Sequence, residues 1–225
     1  DQIQLVKTIE EYLARRDFTI NAIAFDGKTL VDPYDGQGDI EKKLVKAVGN
    51  PDDRFGEDAL RMIRAVRIAT ELGFMIEPAT LAAISENATL LTTISTERIR
   101  DELLRLLAAP HAADGILILK QSRLLAIVLP EVETAFATQQ KSPKRHHIFD
   151  VGTHSVMSLK HCTSLDPIVR LATLLHDIGK PATFRIDPEG TITFYNHEVV
   201  GGKLTKSIAQ RLRLSKKQTE KLITL

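Results

Sequence analysis

Apolar side chains recur every three or four residues along most of the chain after residue 39, and this spacing predicts helices rather than strands. The helical segments are bounded by residues that favour helix ends, such as Gly73 after one helix and Ser95 or Thr96 before another. The predicted helices are "GDIEKKLVKAVG", "GEDALRMIRAVRIATELGF", "EPATLAAISENATLL", "STERIRDELLRLLAA", residues 112–121, "DVGTHSVMSLKHC", "DPIVRLATLLHDIG" and "HEVVGGKLTKSIAQRL". The sequence therefore predicts a mainly α fold.

Extended structure is predicted near the start of the chain and again late in it. "NAIAF" and "TLV" flank Asp26-Gly27, a dipeptide that favours a tight hairpin turn, and "TITFYNH" lies between the last two helices. "PDD" at residues 51–53 is interpreted as a loop. The polar segment "EVETAFATQQKSPKRHH", which contains Pro143, is interpreted as a connection.

The composition excludes several classes of protein. The net charge is +1, so any nucleic-acid binding requires local basic patches rather than bulk charge. Cys162 is the single cysteine, which excludes an intramolecular disulfide and fits a reducing compartment. No apolar run approaches the roughly 18–20 residues of a membrane span, so we expect a cytoplasmic protein that does not bind membranes.

The helix predicted over "EDALRMIRAVRIA" carries arginines at steps of three. Arg61, Arg64 and Arg67 fall on one flank, and Asp58 lies near its boundary. One interpretation is a salt-bridged, solvated face. The other is recognition of a nucleotide, because a carboxylate and a guanidinium side by side match the edge of a base, and further arginines suit phosphates.

A second charged group stands directly before the predicted hairpin, in "RRDFTINAIA". Arg16 and Asp17 precede the strand, and Asn21 lies within it. These side chains are suited either to the lining of a cleft or to a surface ion pair.

Three stretches of this sequence resemble the bacterial class II tRNA nucleotidyltransferase and poly(A) polymerase family, which includes the CCA-adding enzymes. They are "RRDFTINAIA", "VDPYDGQGDIEKKLVKAVGNPDDRFGEDALRMIRAVRIATELGF" and "ISTERIRDELLRLL", in this order. The resemblance implies that Arg16, Asp17 and Asn21 belong to a motif that contacts the incoming nucleotide. It also implies that Asp58 and Arg61 read the base of CTP or ATP, and that Arg64 and Arg67 extend the nucleotide-binding row.

The family's metal site is absent from this sequence. In the family, a Gly-Ser and an Asp-x-Asp that stand before the "RRDFT" motif hold the Mg²⁺ ions that activate the 3′-hydroxyl. The present sequence begins after that place, so we expect it to be part of a longer protein. We therefore expect no catalytic residue for the transfer in this chain.

The last third of the chain resembles the HD phosphohydrolase superfamily, through "DVGTHSVMSL", "LLHDIGKPATF" and "FYNHEVVGG". The resemblance implies a divalent metal site formed by His154, His176, Asp177 and His197, with Lys180 near a phosphate. The alternative is a helical scaffold in which these histidines are packing residues. His146, His147 and His161 are interpreted as surface or packing residues.

Together the resemblances imply three parts: residues 1–48 as the end of a nucleotidyltransferase head, 49–135 as a helical neck and body, and 136–225 as an HD domain. The function implied is addition of CCA to tRNA from CTP and ATP. Three alternatives are a poly(A) polymerase, an HD metallophosphohydrolase with an RNA-binding remnant, and a non-catalytic RNA-binding fragment. Late basic residues suit either an RNA backbone or a solvated helix face: Lys203, Lys206, Arg211, Arg213, Lys216 and Lys217.

Overall fold

A computed structural model of the chain describes residues 7–140 and 149–225. Helices dominate it, which confirms the mainly α prediction. The first group of helices is α1 (Ile9–Leu13), α2 (Gly36–Glu41), α3 (Pro51–Glu57), α4 (Leu60–Leu72), α5 (Pro78–Asn87), α6 (Thr96–Ala108) and α7 (Ala112–Gln121). The second group is α8 (Leu125–Val128), α9 (Pro130–Ala135), α10 (Val151–His161), α11 (Pro167–Leu175), α12 (Lys180–Thr183), α13 (His197–Arg211) and α14 (Lys216–Thr224).

The strands of the described residues are short and pair two by two. They are β1 (Ala24–Phe25), β2 (Leu30–Val31), β3 (Leu44–Val45), β4 (Met75–Ile76), β5 (Arg185–Ile186) and β6 (Ile192–Thr193). β1 and β2 form the predicted antiparallel hairpin, with Ala24 opposite Val31. Gly27 in its turn has φ +95°, a backbone conformation that favours glycine. β5 pairs with β6 in a second hairpin.

The predicted helix that ends at Gly49 is wrong in its second half. α2 ends at Glu41, and β3 follows and pairs in parallel with β4, about thirty residues further along the chain. The backbone N–H of Met75 donates to the carbonyl of Lys43 at 2.9 Å. Lys43 has φ +55°, which turns the chain out of the helix. Local periodicity does not reveal a partner so distant in sequence.

The segment around "PDD" is a helix, not a loop. Pro51 occupies the first turn of α3, and the side chain of Asn50 caps it by accepting from the N–H of Asp52 at 3.2 Å. The long helix predicted from residue 56 is interrupted at Asp58, whose backbone is extended (φ −153°, ψ 101°). α4 therefore begins at Leu60, and Asp58 lies in the joint before it rather than on the helix.

The predicted connection after residue 130 begins with a helix. Pro130 stands in the first turn of α9, where its missing N–H costs nothing. His146 and His147 lie outside the described residues.

One hydrophobic core joins the parts of the chain. It extends from Phe18 through α4 and α6 to Leu222 in α14, so the helices of the last third share it with those before them. The buried guanidinium of Arg170 in α11 donates to the carbonyls of Leu107 and Ala109 at the end of α6, at 2.8 and 2.5 Å. Within the described residues, no helix combines the length and hydropathy that crossing a membrane requires.

Candidate functional site

A pocket of about 190 Å³ lies where the segment before the first hairpin meets the start of α4. It brings together side chains that are more than forty residues apart in sequence. The residues that line it are Arg15, Arg16, Asp17, Asp58, Arg61 and Arg64. Five of these were predicted to bind a nucleotide. Four arginines and two carboxylates give the pocket an excess of positive charge that suits a polyphosphate.

Asp17 organises one wall of this pocket. Its Oδ1 accepts from the backbone N–H of Phe18 at 3.0 Å and from the amide of Asn21 at 3.2 Å. Its Oδ2 lies 2.7 Å from Nη2 of Arg64. Asp17 is buried, so this ion pair holds Arg64 to the pocket. Asn21, which was also predicted to bind the nucleotide, does not line the pocket and contacts it only through Asp17.

Asp58 is held by two partners. Its Oδ1 accepts from the N–H of Leu60, the first residue of α4, at 3.1 Å, and its Oδ2 lies 2.7 Å from Nη2 of Arg98 in α6. Arg98 was not among the predicted site residues. It lies within "ISTERIRDELLRLL", but the spacing of that helix alone does not show that it reaches Asp58.

Arg61 and Arg16 border the pocket on either side. Nη1 of Arg61 donates to the carbonyl of Arg54 at 3.1 Å and to Glu57 at 2.6 Å, and its Nη2 donates to the carbonyl of Arg15 at 3.1 Å. Arg61 therefore ties α4 to the segment before the hairpin. Arg16 is exposed, and its guanidinium lies 4.7 Å from the centre of the Tyr12 ring.

Arg67 faces α6 instead of the pocket. Its Nε lies 2.5 Å from Glu102, and its Nη1 lies 2.5 Å from Glu71. Burial opposes the charge, but the hydrogen bonds and ion pairs with both carboxylates raise the pKa of Arg67 above its ordinary value. The arginine row thus divides: Arg61 and Arg64 line the pocket, while Arg67 joins two helices.

A second group of polar side chains lies in the last third of the chain. His154 of α10 and the adjacent pair His176-Asp177 after α11 place one donor atom each within 4.8 Å of one another. Nε2 of His176 lies 3.2 Å from Oδ2 of Asp177, and Nε2 of His154 lies 3.5 Å from the same oxygen. The structure therefore brings together three of the four predicted metal ligands.

Neighbouring carbonyls orient two of the histidines. Nδ1 of His176 lies 2.8 Å from the carbonyl of Thr173, and Nδ1 of His197 lies 2.8 Å from the carbonyl of Phe194. Because a carbonyl can only accept, both Nδ1 atoms carry a proton. In the neutral ring Nε2 keeps its lone pair, whereas in the charged ring of His176 Nε2 also carries a proton and donates to Asp177. The neutral tautomer is the one that metal-binding histidines use, so the donor set fits a divalent cation.

His197 faces the other oxygen of the same carboxylate. Its Nε2 lies 3.6 Å from Oδ1 of Asp177. The Nζ of Lys180 donates to Oδ2 of Asp177 at 2.7 Å and to Oε1 of Gln140 at 2.8 Å. Asp177 is thus the centre of the cluster.

The charges in the cluster support one another. Burial alone raises the pKa of Asp177, but hydrogen bonds from His176 and Lys180 outweigh it and hold that pKa well below its usual range. The same hydrogen bond with Asp177 raises the pKa of His176 above its ordinary value, against the effect of burial. Asp177 is therefore ionised across the physiological range.

Comparison with known families finds three matches along the chain. Residues 1–46 match the poly(A) polymerase head domain, and residues 73–136 match a family described as the probable RNA- and SrmB-binding site of polymerase A. Residues 151–224 match the HD domain.

Individual relatives agree with these matches. An A-adding tRNA nucleotidyltransferase of Deinococcus radiodurans is 41% identical over 95% of this chain, and the chain spans about half (51%) of that protein. A CCA-adding enzyme of Limosilactobacillus fermentum is 50% identical over 55% of this chain and 31% of its own length. The solved structure of the CCA-adding enzyme of Bacillus stearothermophilus in complex with CTP is 28% identical, with a TM-score of 0.51 over 93% of this chain and 60% of that one.

Proposed function

We propose that the chain belongs to the family of tRNA nucleotidyltransferases and poly(A) polymerases, and that the whole protein adds CCA to the 3′ ends of tRNA from CTP and ATP. The observation that carries this proposal is the pocket in which Arg16, Asp17 and Arg64 meet Asp58 and Arg61. In this proposal tRNA is the partner, and the protein works in the cytoplasm, where tRNA is processed.

In this proposal, different residues of the pocket bind the base and the triphosphate of the nucleotide. Asp58 offers an acceptor to the edge of the base and is held by Arg98, while Arg61 offers donors and is held by the carbonyls of Arg54 and Arg15. Arg16 and Arg64 meet the triphosphate, with Arg64 held by Asp17. Mg²⁺, bound by carboxylates outside this sequence, supplies activation of the 3′-hydroxyl.

Addition of A alone is the second candidate. The A-adding relative aligns over 95% of this chain, including the last third, whereas the CCA-adding relative from L. fermentum aligns over 55% of it. The pocket residues serve either activity, since both require recognition of ATP.

The test is nucleotide addition by the whole protein. tRNA ending at the discriminator base and tRNA ending in CC are incubated with CTP and ATP, separately and together. Ordered C, C and A addition to the first substrate supports the proposal. Addition of A only to tRNA ending in CC supports the second candidate, long A tails support a poly(A) polymerase, and no addition contradicts all three.

Asp58→Ala and Arg61→Ala are expected to reduce the selection of CTP and ATP over UTP and GTP by about a hundredfold, because each removes hydrogen bonds to the base edge. Selectivity is measured as the ratio of kcat/KM values in the same assay. Arg105→Ala is the control, since Arg105 is exposed on α6. Unchanged selectivity in both variants would show that Asp58 and Arg61 do not recognise the base.

Arg98→Ala is expected to relax base selection by about tenfold, because Asp58 loses the partner that orients its Oδ2. The free energy of unfolding should change by less than about 1 kcal/mol, since the side chain of Arg98 is half exposed. Single-nucleotide incorporation kinetics and urea denaturation measure the two effects. A loss of stability without a change in selectivity would identify Arg98 as structural only.

The HD cluster holds a divalent metal in this proposal, through Nε2 of His154 and His176 and the carboxylate of Asp177. When bound, the metal supplies an activated water for attack on a phosphoester. His197 and Lys180 flank the carboxylate of Asp177. This arrangement is the basis for a phosphohydrolase activity alongside the transferase.

His154→Ala is expected to weaken the binding of Mn²⁺ by this chain at least tenfold, because it removes one of three ligands. Isothermal titration calorimetry measures the affinity. His161→Ala is the matched control: it lies on the same helix, is exposed, and should leave the affinity unchanged. Equal affinities for the His154→Ala variant and the unaltered chain would show that the cluster is a packing motif.

A further inference from the structure

Tyr12 of α1 contacts a residue that lines the nucleotide pocket, Arg16, although Tyr12 itself does not line that pocket. The Oη of Tyr12 accepts a hydrogen bond from Nη2 of Arg16 at 2.8 Å. The guanidinium of Arg16 also lies 4.7 Å from the centre of the Tyr12 ring, which is within the range of a cation–π contact. The side chain of Tyr12 therefore holds this guanidinium by two interactions at once.

The backbone places Arg16 four residues, about one helical turn, after Tyr12. α1 ends at Leu13, and the chain continues in tight turns beyond it. The N–H of Arg15 donates to the carbonyl of Tyr12 at 3.2 Å, and the next N–H along the chain donates to the carbonyl of Leu13 at 3.0 Å. Leu13 is buried in a small apolar cluster that includes Val48, so the end of α1 is fixed and the two side chains stay on one side of the chain.

The backbone just before Arg16 is also held from α3 and α4. Nη1 of Arg54 donates to the carbonyl of Ala14 at 2.9 Å, and Nη2 of Arg61 donates to the carbonyl of Arg15 at 3.1 Å. With its backbone fixed in this way, Arg16 retains freedom mainly in its long side chain. That side chain is exposed, so packing does not restrict it.

The partner of Arg16 is uncharged, in contrast with those of Arg61 and Arg64. Arg61 pairs with Glu57 at 2.6 Å, and Arg64 pairs with Asp17 at 2.7 Å. No carboxylate of the described residues forms an ion pair with Arg16, whose guanidinium donates to a phenol oxygen instead. A carboxylate would offset part of the positive charge that a phosphate meets, whereas a phenol leaves that charge in place.

Holding Arg16 in advance favours the binding of a phosphate. A free arginine side chain samples many rotamers, and fixing it on a ligand costs conformational entropy. When a contact within the protein already restricts the side chain to the binding geometry, the ligand bears less of that cost. Arg16 lines the pocket in the conformation that Tyr12 holds.

We propose that Tyr12 is a positioning residue for the incoming nucleotide, which holds the guanidinium of Arg16 in the pocket so that it meets the triphosphate. This role rests on the proposed function, since it takes the pocket as the site of CTP or ATP. The triphosphate is the same in every nucleotide. Tyr12 should therefore strengthen the binding of each nucleotide to the same extent and leave the choice between bases to Asp58 and Arg61.

The experiment is steady-state kinetics of nucleotide addition by the whole protein, on the tRNA that it extends and with each nucleotide that it incorporates. The variants are Tyr12→Phe, Tyr12→Ala, Arg16→Ala and the double variant of Tyr12→Ala with Arg16→Ala. Phe25→Ala is the matched control, because Phe25 is an aromatic residue of the first hairpin that is 65% exposed and does not line the pocket. The measurements are KM, kcat and the selection of the incorporated nucleotides over UTP and GTP.

Tyr12→Ala is expected to raise the KM of each nucleotide by about tenfold, with kcat and base selection changed by less than about twofold. Tyr12→Phe keeps the ring but loses the hydroxyl, and should raise KM by about threefold. In the Arg16→Ala background, Tyr12→Ala should change KM no further, because Tyr12 acts through Arg16. Phe25→Ala should leave all three quantities unchanged.

An equal rise of KM from Tyr12→Ala with and without Arg16 would overturn the proposal, because Tyr12 would then act through other contacts. A loss of base selection in Tyr12→Ala would do the same, since it indicates a distorted pocket. If Arg16→Ala raises KM but the Tyr12 variants do not, Tyr12 has no positioning role, while the proposed function stands. If Arg16→Ala leaves KM unchanged, or the protein adds no nucleotide, the proposed role of the pocket is contradicted and that of Tyr12 with it.

Discussion

Gly179→Ala is expected to lower the free energy of unfolding by about 3 kcal/mol, because the added methyl group meets backbone rather than a side chain that can move. A Cβ on Gly179 would lie 2.0 Å from the carbonyl oxygen of His197 and 2.6 Å from the backbone nitrogen of Gly201. To relieve this overlap, α13 must move away from α12, and His197 must move away from Asp177. Urea denaturation followed by circular dichroism measures the loss.

Gly202→Ala is the matched control for this prediction. Gly202 lies one residue beyond Gly201 in α13, and an added Cβ meets nothing within 4 Å. This variant should gain about 0.5–1 kcal/mol, since alanine favours the helix interior over glycine. Equal stabilities for the Gly179→Ala variant and the unaltered chain would contradict the close approach of the two helices.

Arg170→Met is expected to cost about 3 kcal/mol of stability, because it leaves buried carbonyls without donors. Nη1 of Arg170 donates to the carbonyls of Leu107 and Ala109, and its Nε donates to the carbonyl of Ser164 at 2.5 Å. Methionine retains the apolar length of the side chain, so the loss reports the hydrogen bonds more than the packing. Because Arg170 joins α11 to the end of α6, the variant should also weaken the packing of α11 against α6.

Two further variants separate the effect of the hydrogen bonds of Arg170 from the effect of losing an arginine or its charge. Arg105→Ala removes an exposed arginine from the same helix α6 and should change stability by less than about 0.5 kcal/mol. Arg170→Lys keeps the charge but not the planar fork and should recover only part of the loss. Hydrogen exchange of α11 that stays unchanged in Arg170→Met would show that the two parts do not depend on this contact.

The sequence predicted which residues form the first candidate site, but not how they are arranged. The residues Asp58, Arg61 and Arg64 were predicted together and do line one pocket with Arg16 and Asp17. The arrangement was not predictable, because the extended backbone of Asp58 breaks the helix on which the spacing argument had placed it. The position of Arg67 was not predictable either, because its guanidinium pairs with Glu102 of α6, which is distant in sequence.

In the last third of the chain, too, the sequence predicted the polar residues but not the pocket that they border. His154, His176 and Asp177 were predicted as ligands and meet in the structure, and His197 lies at the opposite oxygen of Asp177. The pocket beside them was not predicted, since it needs the β5–β6 hairpin and the left-handed Asn196 to bring Tyr195 next to Lys180. Lys180 itself was expected near a phosphate, but its attachment to Gln140 was not.

By itself, the sequence determined the helical period, the hairpin at Asp26-Gly27, the family motifs and most of the polar residues that meet in the two candidate sites. These features arise from local spacing and residue type, which act over a few positions of the chain. The tertiary structure alone decided the parallel pairing of β3 with β4, the partners Arg98 and Glu102, and the attachment of Arg170 to α6. Each of these joins residues about thirty to sixty positions apart, and such partners are selected by how the helices pack, which no local pattern records.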